Sequence, residues 1–498
     1  MASKVLLGLL ATAGLTLAAN TCDAVKDTTS IKMNKRWSID FSMEQQEYWS
    51  AACTNNLQPS CILFPKSPAE VQAVVSILRD NNETFAVKSG GHNPNNYFAS
   101  VDGGPLISTK HLNEVIFDEA TKTVRVGPGN RWEDVAKKLD GTGYSAVGGR
   151  IGNVGVGGYL LGGGLSFMSA QYGWAANSVV AYELVLPNAT MITVTAESHP
   201  DIHMALKGSG NSFGIVTAYT LQTYPMGDVW GGHYTFTANE DNNKKLLAAV
   251  RDFTEYYPDE KAGVILTAET TVGGLLDIWI LFVYYNGPEP PAGIFSNFTD
   301  VGPLLKSVKT QSYANLLTGN NWAVLRGSVY TIGTESTPLP DKEHGPEIMG
   351  AYLDSWRNVS SGVLPVTGLV ASVAFQPMPR RLTAKAKFMG GDLLSLDDSI
   401  DRIIFEYDYS YWINSDTPKV DQAMQDTYNG LASRVQEFQA QDKLPKDAYL
   451  PIFMNDGYYR QDYFERLKPE SKALARKVRD ELDPDKMFAT RTGGFKMA

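Results

Sequence analysis

Cysteine is scarce in this chain: three among 498 residues, at positions 22, 53 and 61. With no CxxC pair and no Cys/His cluster, a structural zinc site is not expected, and no metal is assigned. Positive charge is the minority sign. Lys and Arg number 44 against 54 Asp and Glu, a net charge of −10, and no basic run occurs. Nucleic acid and anionic membrane surfaces are therefore not expected partners, because neutralising phosphates takes clustered Lys and Arg. Beyond the first twenty residues no apolar run is long enough to span a bilayer. Internal repeats and low-complexity tracts are absent. What remains, 43% hydrophobic and 20% charged residues, is the composition of an ordinary globular protein.

The start of the chain has its own pattern. Lys4 precedes an apolar run from Val5 to Leu10 that continues through Ala11 to Ala19 and ends in small residues before Asn20. A basic start, a short apolar stretch and a small-residue exit read as a secretory signal peptide over 1–19. The expectation is a secreted protein, or one held in the lumen of the secretory pathway, that has met an oxidising compartment. A disulfide among the three cysteines would tie down the N-terminal arm, with its pairing open at this point. Sequons at Asn82, Asn188, Asn297 and Asn358 are candidate glycosylation sites.

Along the chain, Ser67 caps a helix with Pro68 in its first turn, Glu70 completes a capping box, and Val71, Val74, Val75 and Leu78 share one face. A short strand, Thr84–Val87, runs into Ser89-Gly90-Gly91-His92. Further strands are read at Thr123–Val126, Val179–Leu186 and Met191–Thr195, and an amphipathic helix over Arg131–Leu139. After Pro225 the texture changes to long aromatic, β-prone stretches such as Ile278–Tyr285 and Phe405–Trp412, separated by helices. Strands and helices mixed without regular alternation predict an α+β fold.

Glycine is concentrated in two places. The first is Lys88-Ser89-Gly90-Gly91-His92-Asn93; the second is Gly148-Gly149-Arg150, Gly155-Val156-Gly157-Gly158 and Gly162-Gly163-Gly164. Residues without side chains let main-chain N–H groups converge on phosphate oxygens, which suits an acidic protein that must hold a diphosphate. No Walker A sequence exists. Gly208-Ser209-Gly210 with Gly214 lacks the spacing of a dinucleotide fingerprint, and it precedes a strand-like run, Ile215–Leu221, instead of a helix.

In order along the chain, Lys-Ser-Gly-Gly-His, Val-Gly-Val-Gly-Gly…Gly-Gly-Gly and Gly-Ser-Gly-Asn-Ser-Phe-Gly-Ile-Val, with the tail elements Asn455, Asp483-Pro484-Asp485 and Gly493-Gly494-Phe495-Lys496, carry a resemblance. The chain resembles the berberine-bridge-enzyme-like branch of the vanillyl-alcohol-oxidase (PCMH-type) FAD-binding superfamily, most closely its fungal secreted members. That resemblance implies a two-part FAD-binding domain over 57–228, preceded by an arm (20–56). A substrate domain with a large antiparallel sheet covered by helices would span 229–448, and a segment returning to the FAD domain 449–498. It implies FAD bound covalently through His92 alone, because Ile151 stands where some relatives attach the flavin a second time through cysteine. The implied cofactor-binding residues are Ser89, Gly90, Gly91, His92, Asn93, Gly152, Val154, Gly155, Gly157, Gly158, Tyr159, Gly162, Gly163, Ile215, Val216 and Asn455. It also implies a Cys22–Cys61 disulfide with Cys53 free. Val154 matches a position where a small residue accompanies oxygen reactivity.

The catalytic base is read from less. Relatives carry a Tyr-x-Asn-Tyr segment where this chain has Phe453-Met454-Asn455-Asp456, so Asp456 becomes the candidate base. Tyr407, Tyr409 and Tyr411 alternate with Glu406 and Asp408 on one strand, either face of which could meet the flavin, and Tyr407 and Tyr409 are further candidate catalytic residues on the pocket wall. The expected activity is oxidation of a small organic molecule (an alcohol, sugar or secondary metabolite) by hydride transfer to FAD, with O2 as final acceptor and a monomer as the working form. Two other readings stay open: an FAD-dependent oxidative or redox-neutral cyclase of secondary metabolism, and a secreted carbohydrate-binding protein with purely structural glycines.

Overall fold

The computed structural model describes residues 20–55 and 57–497; the leader read over 1–19 lies outside the described residues. The architecture is α+β, with three sheets and helices on their faces. The first sheet has four strands in the order Lys32–Lys35, Cys61–Phe64, Pro105–Ser108, Ala86–Lys88, and its last three are mutually parallel. The helix Pro68–Asn81 crosses between Cys61–Phe64 and Ala86–Lys88. Its start is built as the sequence spells it. Ser67 Oγ accepts from Glu70 N at 3.2 Å, while the Glu70 carboxylate reaches back one residue further than the box requires, to Lys66 N at 2.9 Å. Val71, Val74, Val75 and Leu78 are all buried, and Asn82 ends the helix in the left-handed region. A Cys22–Cys61 disulfide, Cα–Cα 6.0 Å, ties the N-terminal helix Thr21–Thr28 to this sheet, and Cys53 is a buried free thiol.

The second sheet is antiparallel and has six strands. Its path is Val115–Asp118, Thr123–Val126, Ile215–Pro225, Val179–Val185 and Met191–Thr195, with Tyr144–Ala146 pairing the far end of Ile215–Pro225. The run after Gly214 is thus a central strand, which sets aside a Rossmann site there.

The third sheet has seven antiparallel strands in the order Leu305–Gln311, Val229–Thr237, Leu276–Tyr285, Ala262–Thr271, Val370–Met378, Arg402–Tyr411, Val329–Pro338. Helices Glu240–Tyr256, Gly345–Val363 and Thr417–Ala440 pack on one of its faces and enclose the largest core. Period-2 alternation decides what each face receives. Along Arg402–Tyr411 the tyrosines at 407, 409 and 411 enter that core, and Tyr409 OH bonds Ser360 Oγ (3.0 Å) and Thr427 Oγ1 (2.8 Å) from two covering helices. The expectation that Tyr407 and Tyr409 line the pocket is therefore corrected: aromatic bulk belongs under the helices, and Glu406, Asp408 and Ser410 point the other way.

The tail from Tyr449 crosses back to the first two sheets. It carries helix Pro469–Leu482, after which the Asp483 carboxylate accepts from the N–H groups of Met487, Phe488 and Ala489. All four sequon asparagines are solvent-exposed. No helix among the described residues is long and apolar enough to cross a membrane.

Candidate active site

A cavity of about 570 Å³ lies between the glycine loops and the uncovered face of the seven-stranded sheet. Its floor starts where Ala86–Lys88 ends. Ser89 Oγ donates to the Pro128 carbonyl and accepts from Gly157 N at 3.2 Å, locking the first glycine loop against the second. At that crossing a Cβ on Gly90 would lie 2.5 Å from Gly155 Cα, and one on Gly155 would lie 2.5 Å from Gly90 N. Only glycine lets the two main chains meet there. Gly158, by contrast, opens into the cavity, with nothing within 4 Å of where its Cβ would stand.

Ser89, Gly90, Gly91, His92, Asn93, Val154, Gly155, Gly157, Gly158, Tyr159, Gly162, Ile215, Val216, Asn455 and Asp456 all line this space, as does Ile151. Two expected residues do not. Gly152 sits in a turn, its N–H bonded to Leu317 O and a Cβ there 2.9 Å from Glu133 Cβ, so close packing explains it. Gly163 lies behind the wall against Leu394, with φ of 107°. Asn455 fastens the tail to the glycine segment: its Oδ1 accepts from Gly164 N (3.0 Å) and its Nδ2 donates to Tyr159 O (3.1 Å). The Tyr159 hydroxyl is already used, donating to Leu165 O at 2.8 Å.

Among the described residues, His92 is the one histidine that lines the cavity. Burial, reinforced by the Arg131 and Arg326 guanidiniums, pushes its pKa down to about 3, so the ring is neutral at any physiological pH. Its Nε2 is buried with no hydrogen-bond partner. One ring face stacks on Trp49, with centroids 4.4 Å apart and planes 16° from parallel.

The opposite wall is acidic. Glu269, Ser372 and Asp408 form one cross-strand row, and Thr267, Ala374 and Glu406 the next. Burial lifts the Asp408 carboxyl to about 8, with Glu269 adding to the rise, and burial lifts Glu269 as well. Glu406 is held well above the usual carboxylate range by burial and by neighbouring Asp456. Asp456 is raised to about 6 by burial, against the pull of Arg150 and a hydrogen bond from Gln376. That bond, Gln376 Nε2 to Asp456 Oδ2, is 3.0 Å, and Arg150 Nη2 donates to the same amide's Oε1 at 2.5 Å. A neutral nucleophilic ring, a glycine cradle and a carboxylate poised near neutrality thus share one cavity.

Sequence reasoning left Arg150, Glu269, Gln376, Trp49 and Tyr330 without roles. A carboxylate inside a β-prone run, as at Glu269 and Glu406, is the signal available for the acidic wall. Nothing local marks Trp49 or Gln376.

Residues 59–195 match the family model described as an FAD binding domain. An FAD-linked oxidoreductase of Arthroderma benhamiae is 39% identical over 463 residues, covering 92% of this chain and 91% of that protein. Among solved structures, berberine bridge enzyme from Eschscholzia californica superposes with a TM-score of 0.74 at 18% identity, over 96% of this chain and 99% of that one. A carbohydrate oxidase from Microdochium nivale gives 0.74 at 21%, over 94% and 98%.

Proposed function

This chain belongs to the FAD-linked oxidoreductases, and on that premise we propose that it is a secreted oxidase carrying FAD covalently on His92 alone. Membership of an enzyme family sets aside the reading as a carbohydrate-binding protein. The observation that carries the proposal is His92 itself: a half-buried, neutral imidazole on the cavity wall beside the crossing of the two glycine loops, whose Nε2 is enclosed without a hydrogen-bond partner. A buried polar atom without a partner is costly unless a ligand completes it, and a neutral imidazole is a nucleophile. The residues therefore fit the group. Residues 57–228 would form the FAD-binding domain, with 229–448 supplying the substrate wall and 449–498 closing the cavity through Asn455 and Asp456.

Bound FAD would accept a hydride equivalent from a small organic substrate and return the electrons to O2 as H2O2. The chain's own contribution is proton handling and orientation. Asp456, ionised above about pH 6, takes the proton from a substrate hydroxyl. Gln376 fixes its carboxylate, and Arg150 orders Gln376 from the other side. Asp408, held protonated near neutral pH, can donate as well as accept hydrogen bonds, and Glu406 beside it is held well above the usual carboxylate range by burial; such a wall suits a polyhydroxylated or otherwise polar substrate. Apolar Ile265, Ile280 and Phe282 on the same sheet face exclude water. Cys22–Cys61 and the four exposed sequons agree with secretion.

The test is direct. Acid-precipitated protein should stay yellow, and a peptide containing His92 should carry the mass of the nucleotide. Oxygen uptake across a panel of alcohols, sugars and phenols should then find a substrate. Colourless purified protein would overturn the reading, and turnover without oxygen consumption would replace the oxidase by a cyclase.

A further inference from the structure

The Trp49 ring that covers His92 is itself covered on its other side by Tyr330, with centroids 4.1 Å apart and planes 26° from parallel. The three rings come from three separate parts of the chain. His92 follows a strand of the first sheet, Trp49 lies in the N-terminal arm, and Tyr330 belongs to the strand Val329–Pro338 of the seven-stranded sheet. Trp49 and Tyr330 are both buried, 4% and 9% exposed, and they pack with Val324 and Ile332 in a small apolar cluster.

Main-chain bonds fix the same arrangement. Trp49 N donates to Gly91 O at 2.9 Å, Tyr330 N donates to Ser50 Oγ at 3.0 Å, and Ala51 N donates to Ser328 O at 2.9 Å. Glu47 adds a charged tie: its Oε2 accepts from Arg131 at 3.0 Å and lies 3.2 Å from Arg326 Nη1. Residues 47–51 thus staple the histidine loop to the substrate-side sheet. The loop needs such a restraint, because Gly91, immediately before His92, adopts φ of 68° and contributes no side chain to hold the ring. With a flat indole on one face, rotation of the imidazole about its Cβ–Cγ bond is blocked and the Nε2 direction is set.

We propose that Trp49, backed by Tyr330, is a positioning residue that orients the His92 imidazole for attachment to the flavin, so that attachment proceeds only once the arm and the seven-stranded sheet have docked on the histidine loop. The inference rests on His92 being the attachment residue. Attachment forms one C–N bond and breaks one imidazole N–H and one flavin methyl C–H. The two electrons and two protons released are taken up by the isoalloxazine and then by O2, giving H2O2.

The experiment compares wild type with Trp49→Leu, Trp49→Phe, Tyr330→Leu and Tyr330→Phe, harvested at equal times after induction. Total FAD per chain, the share released by acid, and the melting temperature are measured for each. Losing one aromatic stack should slow attachment roughly 2- to 10-fold. The two Leu variants should therefore release a larger share of their FAD into acid at unchanged total FAD, and the two Phe variants should recover most of the attachment. Leu variants that fill with FAD and attach it on the wild-type time course would overturn the proposal. So would Phe variants as impaired as their Leu counterparts, since a ring is all the argument requires. Should Trp49→Leu fail to fold, the Tyr330 pair decides alone, because Tyr330 touches the indole and not the histidine. Acid release of FAD from the wild type would instead refute the attachment reading itself, and the proposal with it.

Discussion

Replacing Asp456 by Asn separates a catalytic carboxylate from a structural one. In the folded protein its pKa is raised from 3.8 to about 6, chiefly by burial. Below that value the group is protonated and cannot take a proton. Wild-type kcat/KM should therefore show an acidic limb centred near pH 6, with only about a tenth of the plateau left at pH 5. The Asn variant keeps the Gln376 hydrogen bond but has no base. Loss of general-base catalysis is worth about 10²- to 10⁴-fold, or roughly 3–5 kcal/mol of transition-state stabilisation. Stability should move the other way. The folded state holds this proton more tightly than the unfolded chain, so wild-type stability falls as pH rises from about 4 to about 6, and above that window the ionised Asp456 is a net cost. Asp456→Asn should accordingly melt higher than wild type at pH 8 and nearly equal to it at pH 4. Arg150→Gln, which removes the cation that lowers this pKa, should shift the acidic limb to higher pH. The assay is oxygen uptake against pH with the best substrate of the panel, alongside melting curves in the same buffers. A variant within threefold of wild type at pH 8, or one that keeps the limb near pH 6, would refute the assignment of Asp456 as base.

Four further outcomes are expected. His92→Ala should still bind FAD through the glycine loops but release all of it into acid, as judged by absorbance of the supernatant. Native protein should react with no thiol reagent, because Cys53 is buried and its pKa is pushed up to about 12; denaturation should expose one thiol and subsequent reduction all three. Removing the Cys22–Cys61 link, which spans a separation of 39 residues, should cost about 4 kcal/mol in urea unfolding on the loop-entropy argument. Glu44→Ala should cost about 3–5 kcal/mol, because it leaves Lys88, which is 2% exposed and bonded to Glu44 at 2.7 Å, as a buried charge without its partner. A loss below 1 kcal/mol would show that Lys88 finds another partner or loses its proton.

Much of the fold was legible locally because its signals are local. The helix at Pro68–Asn81 has its cap, its box and its apolar face within fifteen residues. The glycine segments were legible because a main-chain approach such as that of Gly90 to Gly155 tolerates no other residue. Even so, Gly152 and Gly163 look in sequence just like the cavity-lining glycines, and only their neighbours, Leu317 and Leu394, separate them.

By itself the sequence determined the α+β class and the places where two main chains meet too closely for any residue but glycine, since each depends on chain-local sterics and residue type. Tertiary structure decided which face of Arg402–Tyr411 meets the cavity, for period-2 alternation offers two faces and only the covering helices choose between them. It also decided the partners. Gln376 meets Asp456, and Trp49 meets both His92 and Tyr330, across sequence separations of 80, 43 and 281 residues. No local pattern specifies such contacts, because they exist only once the sheets have packed.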